Sequence, residues 1–210
     1  MPTAPRWSVV VPVKRPEVAK TRLADLAGAR RPELARAFAA DTVAAALACP
    51  DVADVVVVTD DTQTAAEASA AGALVVSDEP AAGLNAALRH GADVVRRRHP
   101  DRYIAALSAD LPALRPDELA TTLQAATVYP VSFVGDVAGT GTTLYAVTLA
   151  SGFEPRFGGR SRAAHRAAGA VELTVPDTAS VHRDVDTAVD LWDAVRLGVG
   201  PRTAAVVALI

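Results

Sequence analysis

Cysteine is nearly absent: Cys49 is the single one in 210 residues, so no intramolecular disulfide framework can form. It lies beside Pro50 in an Ala-rich stretch with no metal-ligand spacing around it, and reads as inert packing. Long apolar runs are also missing. The first, Trp7 to Val13, follows a single arginine and falls far short of the roughly 20 residues that a membrane span requires. No excess of positive charge is present either. The formal net charge is -3, and the one basic run, Arg96-Arg97-Arg98, ends an amphipathic stretch and reads as a solvated helix end, so neither nucleic acid nor a membrane is an expected partner. The four histidines show no pair spacing for zinc. Neither a Gly-x-Gly-x-x-Gly fingerprint nor a Walker loop occurs, which removes support for those two nucleotide folds. No low-complexity stretch or Gly/Ser linker divides the chain, and half of it is hydrophobic, so one domain over residues 1–210 of a soluble cytoplasmic protein is expected.

What is present is an alternation of short β-branched runs with longer Ala-rich segments of helical period, the pattern of crossover units and a mainly parallel α/β sheet covered by helices on both faces. Strands are expected at Ser8–Val13, Val55–Thr59, Leu74–Val76 and Tyr103–Ser108. Helices are expected over Pro32–Leu47, from Thr62, over Gly83–Arg98 and from Pro116, whose missing N–H costs nothing at a first helical position. Val131–Val134 and Thr143–Val147 are joined by a Gly-rich turn and predict a small antiparallel insert. Beyond it come a helix with Ser161 as N-cap, a strand over Val171–Val175 and a helix over Thr187–Leu197. The run from Thr203 to Ile210 fits helix or strand.

Three aspartates follow β-like runs, at the edge where parallel sheets place their active sites. They are Asp110 in Ser108-Ala109-Asp110-Leu111-Pro112, and Asp184 and Asp186 in Asp184-Val185-Asp186. Two residues apart on an extended segment, Asp184 and Asp186 point to one face. Mg²⁺ in phosphate-handling sites is usually held by one or two carboxylates plus substrate phosphates, so this set suggests magnesium. Solvated turns and helix caps are also rich in Asp, and Asp186 fits as the N-cap of the Thr187 helix. Lys14, Arg15, Lys20 and Arg22 crowd the connection after the first strand, where they would neutralise a triphosphate; the plain alternative is an exposed basic loop. Gly139-Thr140-Gly141-Thr142-Thr143 and Gly158-Gly159-Arg160-Ser161 are phosphate-friendly in composition, and equally a hairpin turn and a helix cap.

Taken in order, Pro12-Val13-Lys14 with Ala19-Lys20-Thr21-Arg22-Leu23, Gly83-Leu84-Asn85, the Asp110 segment, Gly139–Thr143, Phe157-Gly158-Gly159-Arg160-Ser161 and Asp184-Val185-Asp186-Thr187 resemble one family over nearly the whole chain. It is the phosphoenolpyruvate or 2-phospho-L-lactate guanylyltransferase family of deazaflavin coenzyme (factor 420) biosynthesis. The resemblance implies a single-domain, GT-A-like nucleotidyltransferase fold and a reaction joining GMP from GTP to the phosphate of a three-carbon acid, with pyrophosphate released. It implies that Asp110, Asp184 and Asp186 hold Mg²⁺ and that Thr142, Gly158 and Ser161 bind phosphoenolpyruvate. By the same analogy Lys14, Lys20 and Arg22 face the GTP phosphates, and Gly83 and Asn85 lie near the guanosine. The richness in Ala, Val and Arg resembles a high-GC actinobacterial gene, a branch associated with phosphoenolpyruvate rather than 2-phospho-L-lactate. Handover of a labile product to the next pathway enzyme is a further expectation. The rival readings are the same reaction on 2-phospho-L-lactate or 3-phosphoglycerate, and a non-catalytic GTP-binding module.

Overall fold

The computed structural model describes residues 6–15, 20–79, 81–149 and 151–210. Residues 16–19, with the Ala19 that opens the Ala19–Leu23 motif, lie outside them. Among the described residues seven strands form one sheet: β1 (Trp7–Pro12), β2 (Val52–Val58), β3 (Leu74–Val76), β4 (Tyr103–Leu107), β5 (Val131–Gly135), β6 (Thr142–Val147) and β7 (Val171–Glu172), in the order β3-β2-β1-β4-β6-β5-β7. Parallel pairing joins β1 to β2 and β4, β2 to β3, and β5 to β7, whereas β6 is antiparallel to both β4 and β5. The expected antiparallel insert is thus one reversed strand within the main sheet, held on both sides. Nothing local in the sequence encodes the β4–β6 half of that pairing.

The helices are α1 (Ala24–Ala27), α2 (Arg31–Ala48), α3 (Thr62–Ala70), α4 (Leu84–Arg98), α5 (Pro116–Ala126), α6 (Ser161–Ala167), α7 (Ala179–His182), α8 (Ala188–Leu197) and α9 (Pro201–Val207). Burial on both faces explains why the strands read as continuous apolar runs. Val9 and Val11 of β1 point toward α2 and α5, into a core with Val43 and Leu123, while Val10 points the other way, toward Leu88 and Val95 of α4. Helix α2 carries apolar residues around most of its circumference because it is sandwiched: Ala39 and Val43 meet the sheet, and Leu34 and Phe38 meet Leu191 of α8 and Val206 of α9. The ambiguous C-terminal run is therefore helix. Its first turn is fixed by the buried Asp41, whose carboxylate accepts the N–H of Arg202 at 3.1 Å and of Thr203 at 2.7 Å.

Several boundaries differ from expectation. Strand β7 stops at Glu172 rather than Val175. Thr187, not Asp186, caps α8, through a reciprocal capping box with Asp190. Arg160 precedes α6 and Ser161 is its first residue, with no side-chain capping bond.

Helix α4 crosses β1 and β2 at Gly91, where an added Cβ would stand 2.5 Å from Val10 Cγ1 and 2.9 Å from Val58 Cγ2. Helix propensity favours alanine by about 1 kcal/mol. Overpacking typically costs about 1–3 kcal/mol, and the two valines are branched, buried and without room to retreat. Gly91→Ala is therefore expected to lower the denaturant midpoint with an unchanged slope; a stabilised variant would show that α4 slides easily over the sheet.

Candidate active site

Strand order reverses direction at β1 and β4: the chain moves from β1 outward to β2 and β3, and then returns to place β4 on the other side of β1. Such a switch point leaves a crevice beyond the carboxyl ends of the two strands, the usual ligand position in open α/β sheets. A cavity of about 320 Å³ lies there, lined by Pro12, Val13 and Lys14 after β1, by Leu107 to Asp110 after β4, and by Lys20, Leu84, Phe157 and Asp186. An open groove lined by Gly83, Asn85, Arg89 and Arg156 adjoins it, since Leu84 and Phe157 belong to both. A further cavity of about 340 Å³ between α2, α3 and the start of α9 is mostly apolar and holds none of the three aspartates.

Backbone bonds draw the aspartates together. The carbonyl of Asp110 accepts the N–H of Val185 at 3.1 Å, and Val185 is fully buried. That plug holds the extended Asp184–Asp186 segment against the end of β4. Asp186 is further secured by Asp190, whose carboxylate accepts its N–H at 3.2 Å. On the other side Thr42 Oγ1 accepts the N–H of Leu111 at 3.1 Å and donates to the Phe38 carbonyl at 2.8 Å, fixing the Asp110 turn to α2.

Lys20 lies across this set. Its ammonium pairs with Asp110 and stands 2.7 Å from Asp186 Oδ1. The residue adopts the left-handed conformation (φ 54), uncommon outside glycine. Burial disfavours its charge, but the carboxylates of Asp110 and Asp186 outweigh that and hold the ammonium pKa above its usual value. Asp184 shows the opposite pressure. Burial, then the charges of Asp110, Asp186 and Asp136, push its carboxyl up to about 7, with Lys20 only partly compensating. Three carboxyl groups face one ammonium, so once Asp184 gives up its proton negative charge is in excess by two. That surplus, on hard oxygen donors, fits a divalent cation such as Mg²⁺. Among the described residues no three His, Cys, Asp or Glu side chains are spaced as a ready cage. A site of one or two carboxylates completed by substrate phosphates needs none.

The remaining predicted residues divide. Lys14 lines the cavity; Arg22 is exposed and does not. Gly83 lines the adjoining groove, while both ends of the Asn85 amide are engaged by one backbone unit: Nδ2 donates to the Phe157 carbonyl at 2.9 Å and Oδ1 accepts the Phe157 N–H at 2.8 Å. Asn85 thus shapes the wall that Phe157 forms. Thr142, Gly158 and Ser161 gather around one turn, because Ser161 N–H donates to the Gly158 carbonyl at 3.0 Å and Arg162 N–H to the Thr140 carbonyl at 3.1 Å. These amide donors, and those of Thr140 and Gly141, which Asp136 accepts at 2.9 and 2.8 Å, are spent within the chain. The N–H groups of Gly159 and Arg160 have no such partner among the described residues, so the turn offers an anion backbone N–H as well as side-chain hydroxyl.

Sequence reasoning missed Asp136, His165, Phe157, Arg89 and Arg156 as neighbours of the site. Asp136 carries a signal of the same kind as Asp110, a carboxylate at the exit of a strand.

This is the nucleotidyltransferase fold. A nucleotidyl transferase from Methanothermobacter thermautotroptrophicus superposes with a TM-score of 0.56 over 91% of this chain and 97% of its own at 19% identity, and a cytidylyltransferase from Leptospira borgpetersenii with 0.58 over 98% and 94% at 12% identity. Within that class the chain belongs to the family described as guanylyl transferase CofC like, whose profile matches residues 7–206. The phosphoenolpyruvate guanylyltransferase of Streptomyces coelicolor is 60% identical over 97% of this chain and 96% of its own length, and that of Thermomonospora curvata 57% identical over 96% and 89%. No helix among the described residues is long and apolar enough to cross a membrane.

Proposed function

We propose that this protein is a phosphoenolpyruvate guanylyltransferase, joining GMP from GTP to phosphoenolpyruvate to give enolpyruvyl-diphospho-5'-guanosine and pyrophosphate. The observation that carries the reading is the three-aspartate, one-lysine cluster at the β1/β4 switch point, in a chain 60% identical over nearly its full length to a protein of that name. The setting is deazaflavin coenzyme biosynthesis in the cytoplasm, with the labile product handed to the next enzyme of the pathway.

The acceptor phosphate is already anionic, so no protein nucleophile or general base is required. One of its oxygens attacks the α-phosphorus of GTP; the new P–O bond forms as the bond to the β-phosphate oxygen breaks, and the electron pair leaves with pyrophosphate. The obstacle is bringing two polyanions together, so positioning and charge neutralisation carry the rate. Lys14 and Lys20 provide fixed positive charge on the β1 side of the cavity, and Lys20 is held in place by the carboxylates that raise its pKa. Asp110, Asp184 and Asp186 would hold Mg²⁺, which when bound supplies neutralisation and polarisation of phosphate oxygens. The groove at Gly83 and Phe157 takes the guanosine, and the Thr142, Gly158 and Ser161 turn takes the three-carbon acid.

Pyrophosphate release from GTP, measured with phosphoenolpyruvate, 2-phospho-L-lactate and 3-phosphoglycerate in turn, tests this directly. The highest kcat/KM is expected with phosphoenolpyruvate. A preference for another acid overturns the acceptor assignment, and GTP binding without release on any of the three overturns the enzyme reading.

A further inference from the structure

His165 takes no part in the scheme above, yet it is fully buried and has both ring nitrogens committed. Nε2 lies 2.9 Å from the backbone N–H of Arg156, and Nδ1 lies 3.0 Å from the hydroxyl of Thr142. A backbone N–H can only donate, so Nε2 is the bare nitrogen and the ring proton resides on Nδ1. Thr142 Oγ1 therefore accepts from the ring. Its own hydrogen is left to give away, and no acceptor for it exists among the described residues.

Three aromatic rings fix the imidazole plane. Tyr145 stacks on it at 4.7 Å and 23°, Phe133 lies tilted at 5.4 Å, and Phe157 meets it edge-on at 5.5 Å and 80°. Burial, and secondarily the Arg156 charge, pull the ring pKa down to about 4, so the imidazole is neutral at working pH. Arg156 precedes Phe157, whose backbone is gripped from the opposite side by Asn85. The Arg156–Phe157 unit is thus pinned between α4 and α6, and the α6 pin reaches through the same ring to the first residue of β6.

We propose that His165 is a positioning residue for the acceptor subsite: its Nδ1–H fixes the Thr142 hydroxyl as a hydrogen-bond donor, while its Nε2 anchors the Arg156 backbone beside it. The inference rests on the reading of Thr142, Gly158 and Ser161 as the acceptor side. It assigns to one buried ring the task of presenting a hydroxyl with the correct polarity for an anion. A Thr142 hydroxyl free to turn its lone pairs outward would repel the same anion.

The test separates KM values. His165→Phe keeps the aromatic packing and removes both hydrogen bonds, so it should raise KM for phosphoenolpyruvate about tenfold, the loss of one hydrogen bond to a charged group. KM for GTP should rise by a clearly smaller factor, because Phe157 beside Arg156 also lines the guanosine groove, and in Thr142→Val, which leaves that anchor intact, it should stay within about twofold. His165→Asn, whose amide N–H stands near the place of Nδ1, should recover most of the loss, and Thr142→Val should reproduce it in a chain whose ring cluster is intact. The double variant His165→Phe/Thr142→Val should be no worse than the poorer single variant. ¹⁵N shifts of the His165 ring at pH 7 should report a neutral Nδ1–H tautomer.

An acceptor KM unchanged in His165→Phe, a GTP KM rising in step with it, additive effects in the double variant, or an Nε2–H tautomer would each overturn the proposal. A wild-type protein silent with all three acids is a different failure, that of the functional reading on which the inference stands.

Discussion

Asp110→Asn should lower kcat/KM for pyrophosphate release by at least about a hundredfold, the scale on which removal of one preorganised electrostatic group acts in a water-poor site. The substitution preserves shape and removes one charge. It withdraws a partner from Lys20, and an oxygen that would hold the Mg²⁺ proposed above. The carbonyl of Asp110, which anchors Val185, remains, so the fold should persist and circular dichroism should be unchanged. Asp186→Asn should act in the same direction but less strongly, because that side chain is half exposed and its charge is already partly screened by solvent. Arg97→Ala, on the exposed end of α4, is the control that should leave the rate within about twofold. Loss of activity should respond to added Mg²⁺: raising the ion should recover part of the Asp186→Asn rate and little of the Asp110→Asn rate. Equal activity of Asp110→Asn and wild type would remove the carboxylate cluster from the mechanism.

The parts of the fold that could be read from sequence are those encoded locally. Val55 to Val58 and Tyr103 to Leu107 lie in strands buried on both faces, so their apolar runs are uninterrupted, and the Ala-rich segments between them have helical length. Asp110 was legible for a related reason, since an acidic residue just past a buried strand has few structural excuses. Asp184 and Asp186 share a spacing of two, but they follow the α7 helix and not the expected β-like run, and the bond from Val185 to the Asp110 carbonyl is what brings them to the strand end. Distant pairings left no such trace. Lys20 meets Asp110 across 90 residues and Asn85 meets Phe157 across 72, so neither the ammonium between the carboxylates nor the use of the Asn85 amide follows from any spacing. The reversed β6 is a similar case, since its hairpin with β5 is local while its ladder with β4 is not. Ser161 and Asp186 have the chemistry of N-caps. The caps fell one residue away because tertiary contacts, the Thr187–Asp190 box and the packing of buried Ser161, chose the register. A lone histidine in an Ala-rich helix carries no pattern at all, which is why the ring that organises Thr142 was invisible before the fold placed it.

Asp184→Asn should make the metal-free protein more stable at pH 8 while impairing catalysis. In the folded chain the Asp184 carboxyl ionises near pH 7, against 3.8 as an ordinary aspartate, because it is buried among Asp110, Asp186 and Asp136. The folded state therefore holds a proton that the unfolded state has released between those two values, and stability falls as pH rises through that window. Above about pH 7 the penalty is complete. A shift of this size has a ceiling of about 4 kcal/mol. The side chain keeps some contact with solvent, so screening should leave roughly 2 kcal/mol. Asparagine carries no such cost. In chelator-treated protein, the melting temperature of Asp184→Asn relative to wild type should rise by about 4–8 °C between pH 4 and pH 8, the shift expected of that energy in a chain of this length. Added Mg²⁺ should then reverse the order, stabilising wild type more than the variant, since a cation that binds the folded carboxylates offsets their repulsion. A melting difference that does not change between pH 4 and pH 8 would mean that Asp184 does not share the field of its neighbours. The same repulsion that lowers stability at Asp184 would give the proposed Mg²⁺ its affinity, so the stability lost there and the activity would have one electrostatic origin.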